Sequence, residues 1–232
     1  MAPIASAITR VLITGFGPFS GIPNNPSFGI ASRLPSSLPN DIELIVHPYA
    51  VPVAYHPTLN AVSRLYSEVQ PDLSLHMGVA EGRTYFAIEQ TSRRNVYHII
   101  SDVDGQVFTP EENEAVWAGQ PELLSTELDL NAVVADWKNR TADFTWPFSA
   151  TSSDVMSVND VQWSDSVGNY LCGFIYFAGM AEMGSNGKNK KRDVSFMHVP
   201  LLKTEEELQL GVDVAIELIQ SLVQSWRSQR TS

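Results

Sequence analysis

The sequence predicts one α/β domain over residues 1–232, a three-layer α/β/α sandwich around a mixed, mostly parallel central sheet. Three observations point there. Short apolar runs closed by Gly or Pro alternate with stretches of helical period along most of the chain, the pattern of strand–helix–strand units. A length of 232 residues fits one large domain or two small ones, and no internal repeat divides it. With 44% hydrophobic and 18% charged residues, 14 Gly and 14 Pro, the composition is globular and excludes disordered and fibrous classes.

Taken in order, residues 1–9 read as an N-terminal tail. Val11-Leu12-Ile13-Thr14 is a buried strand ended by Gly15. Pro26 suits a first helical turn, and Phe28, Ile30, Ala31 and Leu34 give that helix an apolar face. A second strand spans Ile42 to Val46. Leu59, Val62, Leu65, Tyr66 and Val69 recur at helical spacing from Tyr55 onward. Asp72 to Met77 reads as a third strand stopped by Gly78, and Thr84 to Glu89 as a fourth.

Beyond the turn at Asp102–Gly105, Pro121 to Trp137 has helical character. Residues 141–165, with Pro147, five serines and little periodicity, read as a long surface excursion. Leu171 to Met180 is helix-compatible, Gly184 to Arg192 a solvated basic loop, and Val194 to Val199 a last strand ended by Pro200. Thr204 and Glu207 form a capping box for the final helix, whose buried stripe runs through Leu208, Val212, Ala215, Ile216, Ile219, Val223 and Trp226. Residues 227–232 read as a C-terminal tail.

Composition also restricts function. The formal charge of −11 argues against nucleic acid as a partner, since phosphate binding needs a basic face. No apolar run approaches the roughly 18–20 residues that cross a bilayer, so no membrane partner is expected. The opening residues lack the pattern of a secretory signal, which makes the cytoplasm the expected location. One cysteine forbids an intrachain disulfide and any multi-cysteine metal site.

That cysteine, Cys172, follows the loop Ser166–Tyr170 and precedes the apolar segment Phe174–Phe177. This places its sulfur near a helix N-terminus, where free N–H groups favour a thiolate and can hold an oxyanion. Most lone cysteines are inert core residues, so a partner base is required. Of His47, His56, His76, His98 and His198, only His198 ends a strand, and functional groups in open α/β sheets gather at the carboxyl ends of strands. Glu89 also ends an apolar strand and could orient the imidazole. Gly15-Phe16-Gly17-Pro18-Phe19-Ser20-Gly21 does not fit a dinucleotide fingerprint, because its spacing is wrong and Pro18 removes a donor. An apolar ligand-binding loop is the better reading.

Four blocks together carry a resemblance. Val11–Phe19 with Asn25-Pro26-Ser27, Gly78–Glu89, Gly168–Cys172 and Phe196–Pro200 resemble, in order and spacing, segments of the type I pyroglutamyl peptidases. These are cytosolic cysteine peptidases that remove an N-terminal pyroglutamate. The resemblance implies Cys172 as nucleophile, His198 as base and Glu89 as orienter. It implies Phe16, Phe19 and Asn25 as the lining of the pyroglutamate pocket. Peptides with an N-terminal pyroglutamate are the implied substrates, and no metal or organic cofactor is implied.

The chain departs from the family at Ser166 and Val167, where Asp-Ala is usual, and at Gly173, where bacterial members carry asparagine. An arginine about ten residues past the glutamate lacks a counterpart; the region reads Tyr97-His98-Ile99. The alternative readings are a family member acting as a binding protein, or another small-amide cysteine hydrolase.

Overall fold

The computed structural model describes residues 8–19, 21–145 and 161–231. The first half runs β1 (Thr9–Gly15), α1 (Pro26–Ala31), β2 (Ser37–Leu38), β3 (Ile42–Val46), α2 (Tyr55–Val69), β4 (Leu73–Val79), β5 (Phe86–Glu89) and β6 (Thr91–Arg93). The second runs α3 (Pro110–Trp117), β7 (Leu123–Ser125), α4 (Leu130–Arg140), β8 (Val161–Ser164), α5 (Leu171–Asn186), β9 (Val194–Val199) and α6 (Glu205–Thr231).

Seven strands form one sheet in the order β2-β3-β1-β4-β9-β5-β8, while β6 and β7 pair separately as an antiparallel ribbon. β2–β3 and β5–β9 are antiparallel, and the other four pairings are parallel. The mixed, mostly parallel three-layer sandwich read from the sequence is therefore the observed fold. Among the described residues, no helix is long and apolar enough to cross a membrane.

Strand alternation sorts the side chains between two layers. Val11, Ile13, Leu75, Met77, Phe86, Ile88, Met197 and Val199 pack on one face with α1, α4 and α6. Leu12, Phe16, Val194 and Phe196 pack on the other with α2 and α5. By the same period of two, His76, Gly78, Ala87, Glu89 and His198 belong to the α2/α5 face. The polar groups at the centre of the sheet thus share one side. The helix over them, α5, is apolar nearly all round and buried over most of its length, as expected for a helix enclosed by its neighbours.

Several boundaries differ from the sequence reading, each through non-local contacts. β4 continues through Gly78, which the sequence marked as a stop, because Gly78 and Val79 pair with His198 and Val199. The stretch Pro121–Trp137 is not one helix but β7 followed by α4, and α3 precedes it. α3 carries a capping box between Thr109 and Glu112 with Pro110 in its first turn. Part of the expected excursion at 141–165 is strand: β8 joins the sheet edge beside β5, while residues 146–160 lie outside the described residues. The tail read at 1–9 ends early, since Thr9 is buried in β1. The tail read at 227–232 is helix as far as Thr231, and Arg227 binds Thr9 Oγ1 and the carbonyls of Asn40 and Asp41.

His76 occupies the middle of β4 with both ring nitrogens satisfied, by Thr14 Oγ1 at 2.7 Å and Tyr66 OH at 3.0 Å. α5 can approach this cluster because residue 179 is glycine: a Cβ there would lie 2.7 Å from Tyr66 OH and 2.8 Å from His76 Nε2. Burial lowers the His76 pKa to about 3, whereas an unfolded histidine takes its proton near 6.5. Between those values the unfolded chain binds more protons than the folded one, so stability rises with pH, by about 1.4 kcal/mol per unit for one such group. The melting temperature should therefore drop as pH falls below about 6.5, and His76→Gln should flatten that slope. Parallel slopes in the two proteins would remove His76 as its source.

Candidate active site

The start of α5 fixes the sulfur. Tyr170 is the extended N-cap residue, and Cys172 is the second residue of the helix. The first intrahelical bond, Phe174 N–H to Tyr170 carbonyl, spans 3.0 Å, so the amides of Cys172 and Gly173 belong to the first turn, which has no partners within the helix. The loop before them turns at Gly168, with φ +86°, a left-handed conformation that favours glycine. The Gly168 carbonyl then packs against Gly173, where a Cβ would stand 2.3 Å from its oxygen. Gly173, a departure from the bacterial pattern, is what this close loop requires.

Gly78 provides the space for the thiol. A Cβ at that position would sit 2.7 Å from Cys172 Sγ, 2.8 Å from Phe196 Cζ and 3.5 Å from Phe16 Cδ2. The sulfur therefore occupies the place of the missing side chain. Gly78 is the ladder partner of His198, and paired residues of neighbouring strands project to the same face. The imidazole accordingly emerges beside the sulfur, with the Phe196 ring edge-on to it at 4.9 Å between centroids. Across the antiparallel pair, Ala87 faces His198, and Glu89, two residues on, returns to the same side.

Glu89 is wholly buried and accepts three hydrogen bonds. His198 Nδ1 and Arg83 Nη1 reach Oε1 at 2.8 and 2.6 Å, and the Ser166 amide reaches Oε2 at 2.8 Å. Burial alone would raise its pKa, but the bonds and charges of His198 and Arg83 and the Ser166 amide outweigh it and bring the value down to about 2. The carboxylate stays ionised and holds Nδ1, leaving Nε2 as the free nitrogen. Burial lowers the His198 pKa, against the pull of Glu89. Burial also pushes the Cys172 thiol up to about 12. The direction runs against the sequence expectation of a thiolate favoured at a helix N-terminus: desolvation of the sulfur and the nearby Glu89 charge outweigh the Arg83 charge and the backbone amide.

The six residues singled out from the sequence divide into two groups. Cys172, His198, Glu89 and Phe16 come together. Phe19 is partly buried against both apolar layers, in a short bridge with Ile22. Asn25 is buried with its amide engaged, donating to the Gly17 carbonyl at 2.9 Å and accepting from the amide and hydroxyl of Ser27. It caps α1 and fixes the glycine-rich loop. Phe16, Asn25, Phe28 and Leu202 are among the lining of a cleft of about 510 Å³, which neither Cys172 nor His198 lines. Sequence reasoning missed Arg83, a lone arginine in a polar loop, and Gly78 as the seat of the sulfur. Among the described residues, no cluster of three or more His, Cys, Asp or Glu side chains could ligate a metal ion.

The chain is similar to known proteins in both sequence and fold. A sequence model of the pyroglutamyl peptidase family matches residues 9–144, a segment that includes Phe16, Arg83 and Glu89. Relatives extend the similarity across the rest. The pyrrolidone-carboxylate peptidase of Thermococcus onnurineus is 28% identical over 210 residues, covering 90% of this chain and 92% of that one. Pyroglutamyl-peptidase 1 of Homo sapiens is 28% identical over 203 residues, covering 87% and 84%. Among solved structures, the pyrrolidone carboxyl peptidase of Thermococcus litoralis superposes with a TM-score of 0.76 at 18% identity, covering 96% of both chains. A Pyrococcus furiosus pyrrolidone carboxyl peptidase gives 0.73 at 21% identity, covering 95% and 99%.

Proposed function

The chain belongs to the pyroglutamyl peptidase family, and from that premise we propose that it is a cysteine peptidase that hydrolyses the bond after an N-terminal pyroglutamyl residue. The observation that carries the reading is the His198–Glu89 bond of 2.8 Å beside a sulfur seated over Gly78. Cys172 is the nucleophile, His198 the base and then the acid, and Glu89 the group that orients the imidazole.

An environment that disfavours both the thiolate and the imidazolium orders the events. Sγ attacks the pyroglutamyl carbonyl as Nε2 removes its proton, so the costly buried thiolate forms only as the new bond does. The amides of the first turn of α5 face the developing oxyanion. Nε2 then protonates the departing amine and afterwards activates the water that releases pyroglutamate. Glu89, ionised throughout, stabilises the imidazolium formed at each stage.

Phe16 supports the lactam preference because its ring and the sulfur both border the space over Gly78. Pyroglutamate is a compact uncharged lactam, which an apolar slot can bury if its N–H and C=O find partners. A free N-terminal glutamine or proline would bring an ammonium charge there, and its desolvation costs several kcal/mol where ~1.4 is already tenfold in rate. The test is turnover of a pyroglutamyl fluorogenic amide against glutaminyl and prolyl amides. Discrimination should exceed roughly a thousandfold in kcat/KM. Comparable rates on all three would overturn the lactam reading, and activity on other acyl amides alone would make the chain a different small-amide hydrolase.

A further inference from the structure

We propose that Arg83 is a positioning residue, a single guanidinium that holds the Glu89 carboxylate and the nucleophile loop in one register. The inference rests on the function proposed above, but its geometry does not. Arg83 lies in the β4–β5 connection, where its amide closes a turn onto the Ala80 carbonyl at 2.9 Å. Its Nη1 donates to Glu89 Oε1 at 2.6 Å and its Nη2 to the Ser166 carbonyl at 2.8 Å. The Ser166 amide in turn donates to Glu89 Oε2 at 2.8 Å. Both backbone groups of Ser166 are therefore bound by one ion pair, and six residues later the chain reaches Cys172.

The loop between them transmits that position. Gly168 turns it back and its carbonyl packs directly on Gly173, the neighbour of the nucleophile. Arg83 thus reaches the sulfur by way of the loop and the imidazole by way of Oε1, which it shares with His198 Nδ1. The arginine side chain is 16% exposed and the glutamate 0%, so water competes weakly for the pair and a planar fork suits the two acceptors better than an ammonium would. Where Tyr97-His98-Ile99 offers no arginine, Arg83 brings a cation to Glu89 from the β4–β5 connection.

The charged and titratable groups that act on His198 and Glu89 are Arg83 from the β4–β5 connection and Cys172 and Tyr176 from α5, while Asp165 from the loop after β8 acts on Tyr176. Arg83 opposes protonation of His198, and burial keeps the Tyr176 hydroxyl neutral. Asp165 is engaged with the Thr91 hydroxyl. Removing the guanidinium leaves Glu89 to His198 and the Ser166 amide, with no competing cation, so the imidazole should hold its proton to higher pH.

The experiment compares wild type, Arg83→Gln and Arg83→Lys in two readouts across pH 4–9. One is the alkylation rate of Cys172 by iodoacetamide, which needs no peptide. The other is turnover of a pyroglutamyl amide. Arg83→Gln is expected to lose roughly 10–100-fold in kcat, with KM changed about threefold at most, because a small misplacement of the reacting groups is enough. Its acid limb should move up by about half a pH unit or more in both readouts. Arg83→Lys keeps the charge, so its limb should stay near the wild-type position, with kcat between the other two. A slower Arg83→Gln with an unmoved limb, or wild-type rates in both variants, would overturn the proposal. Failure of wild type to cleave the pyroglutamyl amide would defeat the function reading alone, because the alkylation profiles still measure the effect of Arg83. Should Arg83→Gln not fold, Arg83→Lys decides: full wild-type kcat in it overturns the positioning role.

Discussion

Cys172→Ala is expected to abolish turnover, with a loss of roughly 10⁴-fold or more in kcat, while the fold is retained. The substitution removes one sulfur from the α2/α5 layer and leaves a void over Gly78, where no Cβ is present to fill it. A void of that size costs about 1 kcal/mol, well within the 5–15 kcal/mol of a typical domain. Circular dichroism and the melting temperature should therefore stay close to wild type. Because Cys172 is the only cysteine, one equivalent of alkylator defines the labelled site without mapping. Labelling should be slow at neutral pH for a thiol raised to about 12 by burial, and it should eliminate activity in step with modification. Full activity after complete alkylation would end the nucleophile assignment.

The same sulfur shows how far the sequence can be read. Its placement at the head of α5 was legible, because a Gly-containing loop followed by an apolar run indicates a helix start. The strand ends at Glu89 and His198 were legible for the same reason: apolar runs of strand length stop at a polar residue. The proton affinity of the thiol was not, since it depends on what α2, β4 and β9 exclude from water around it. Gly78 shows the limit most directly. Local chemistry marks glycine as a strand terminator, yet here the strand continues because a distant cysteine and phenylalanine occupy the vacant side-chain position.

Other misses have local causes. The α3 start signal, Thr109-Pro110-Glu111-Glu112, was present in the sequence, but only Asn113 and Trp117 are buried in that helix, so no apolar stripe confirms it. β7 is three residues long and gains its definition from pairing with β6. β8 is four residues long with only Val161 buried, and its identity as a strand depends on β5 beside it. Arg83 has no sequence signal beyond its type; only the closure of the β4–β5 connection over Glu89 and Ser166 gives it a role.

His198→Ala and Glu89→Gln should both be severe, with different signatures. Removing His198 takes away the proton acceptor and donor, an expected loss of about 10⁴–10⁶-fold in kcat. The sequence alone suggests that Glu89→Gln would be the milder change, since a carboxamide can still accept from Nδ1. The structure narrows that difference. Gln has one acceptor oxygen where Glu89 serves His198, Arg83 and the Ser166 amide together, and its NH₂ would face a donor on at least one side. The wrong tautomer at a catalytic histidine costs about 10⁴-fold in a comparable triad, so a loss of roughly 10³–10⁴ is expected here. Glu89→Gln should also lower stability, because the Arg83 guanidinium is left largely buried without its counter-charge; breaking such a pair costs about 3–5 kcal/mol. His198→Ala leaves the Arg83–Glu89 pair intact and should cost less stability than Glu89→Gln. The double variant Arg83→Gln/Glu89→Gln separates the two effects, since removing the orphaned cation should restore much of the melting temperature without restoring turnover. A Glu89→Gln protein with wild-type kcat and melting temperature would exclude the carboxylate from both roles.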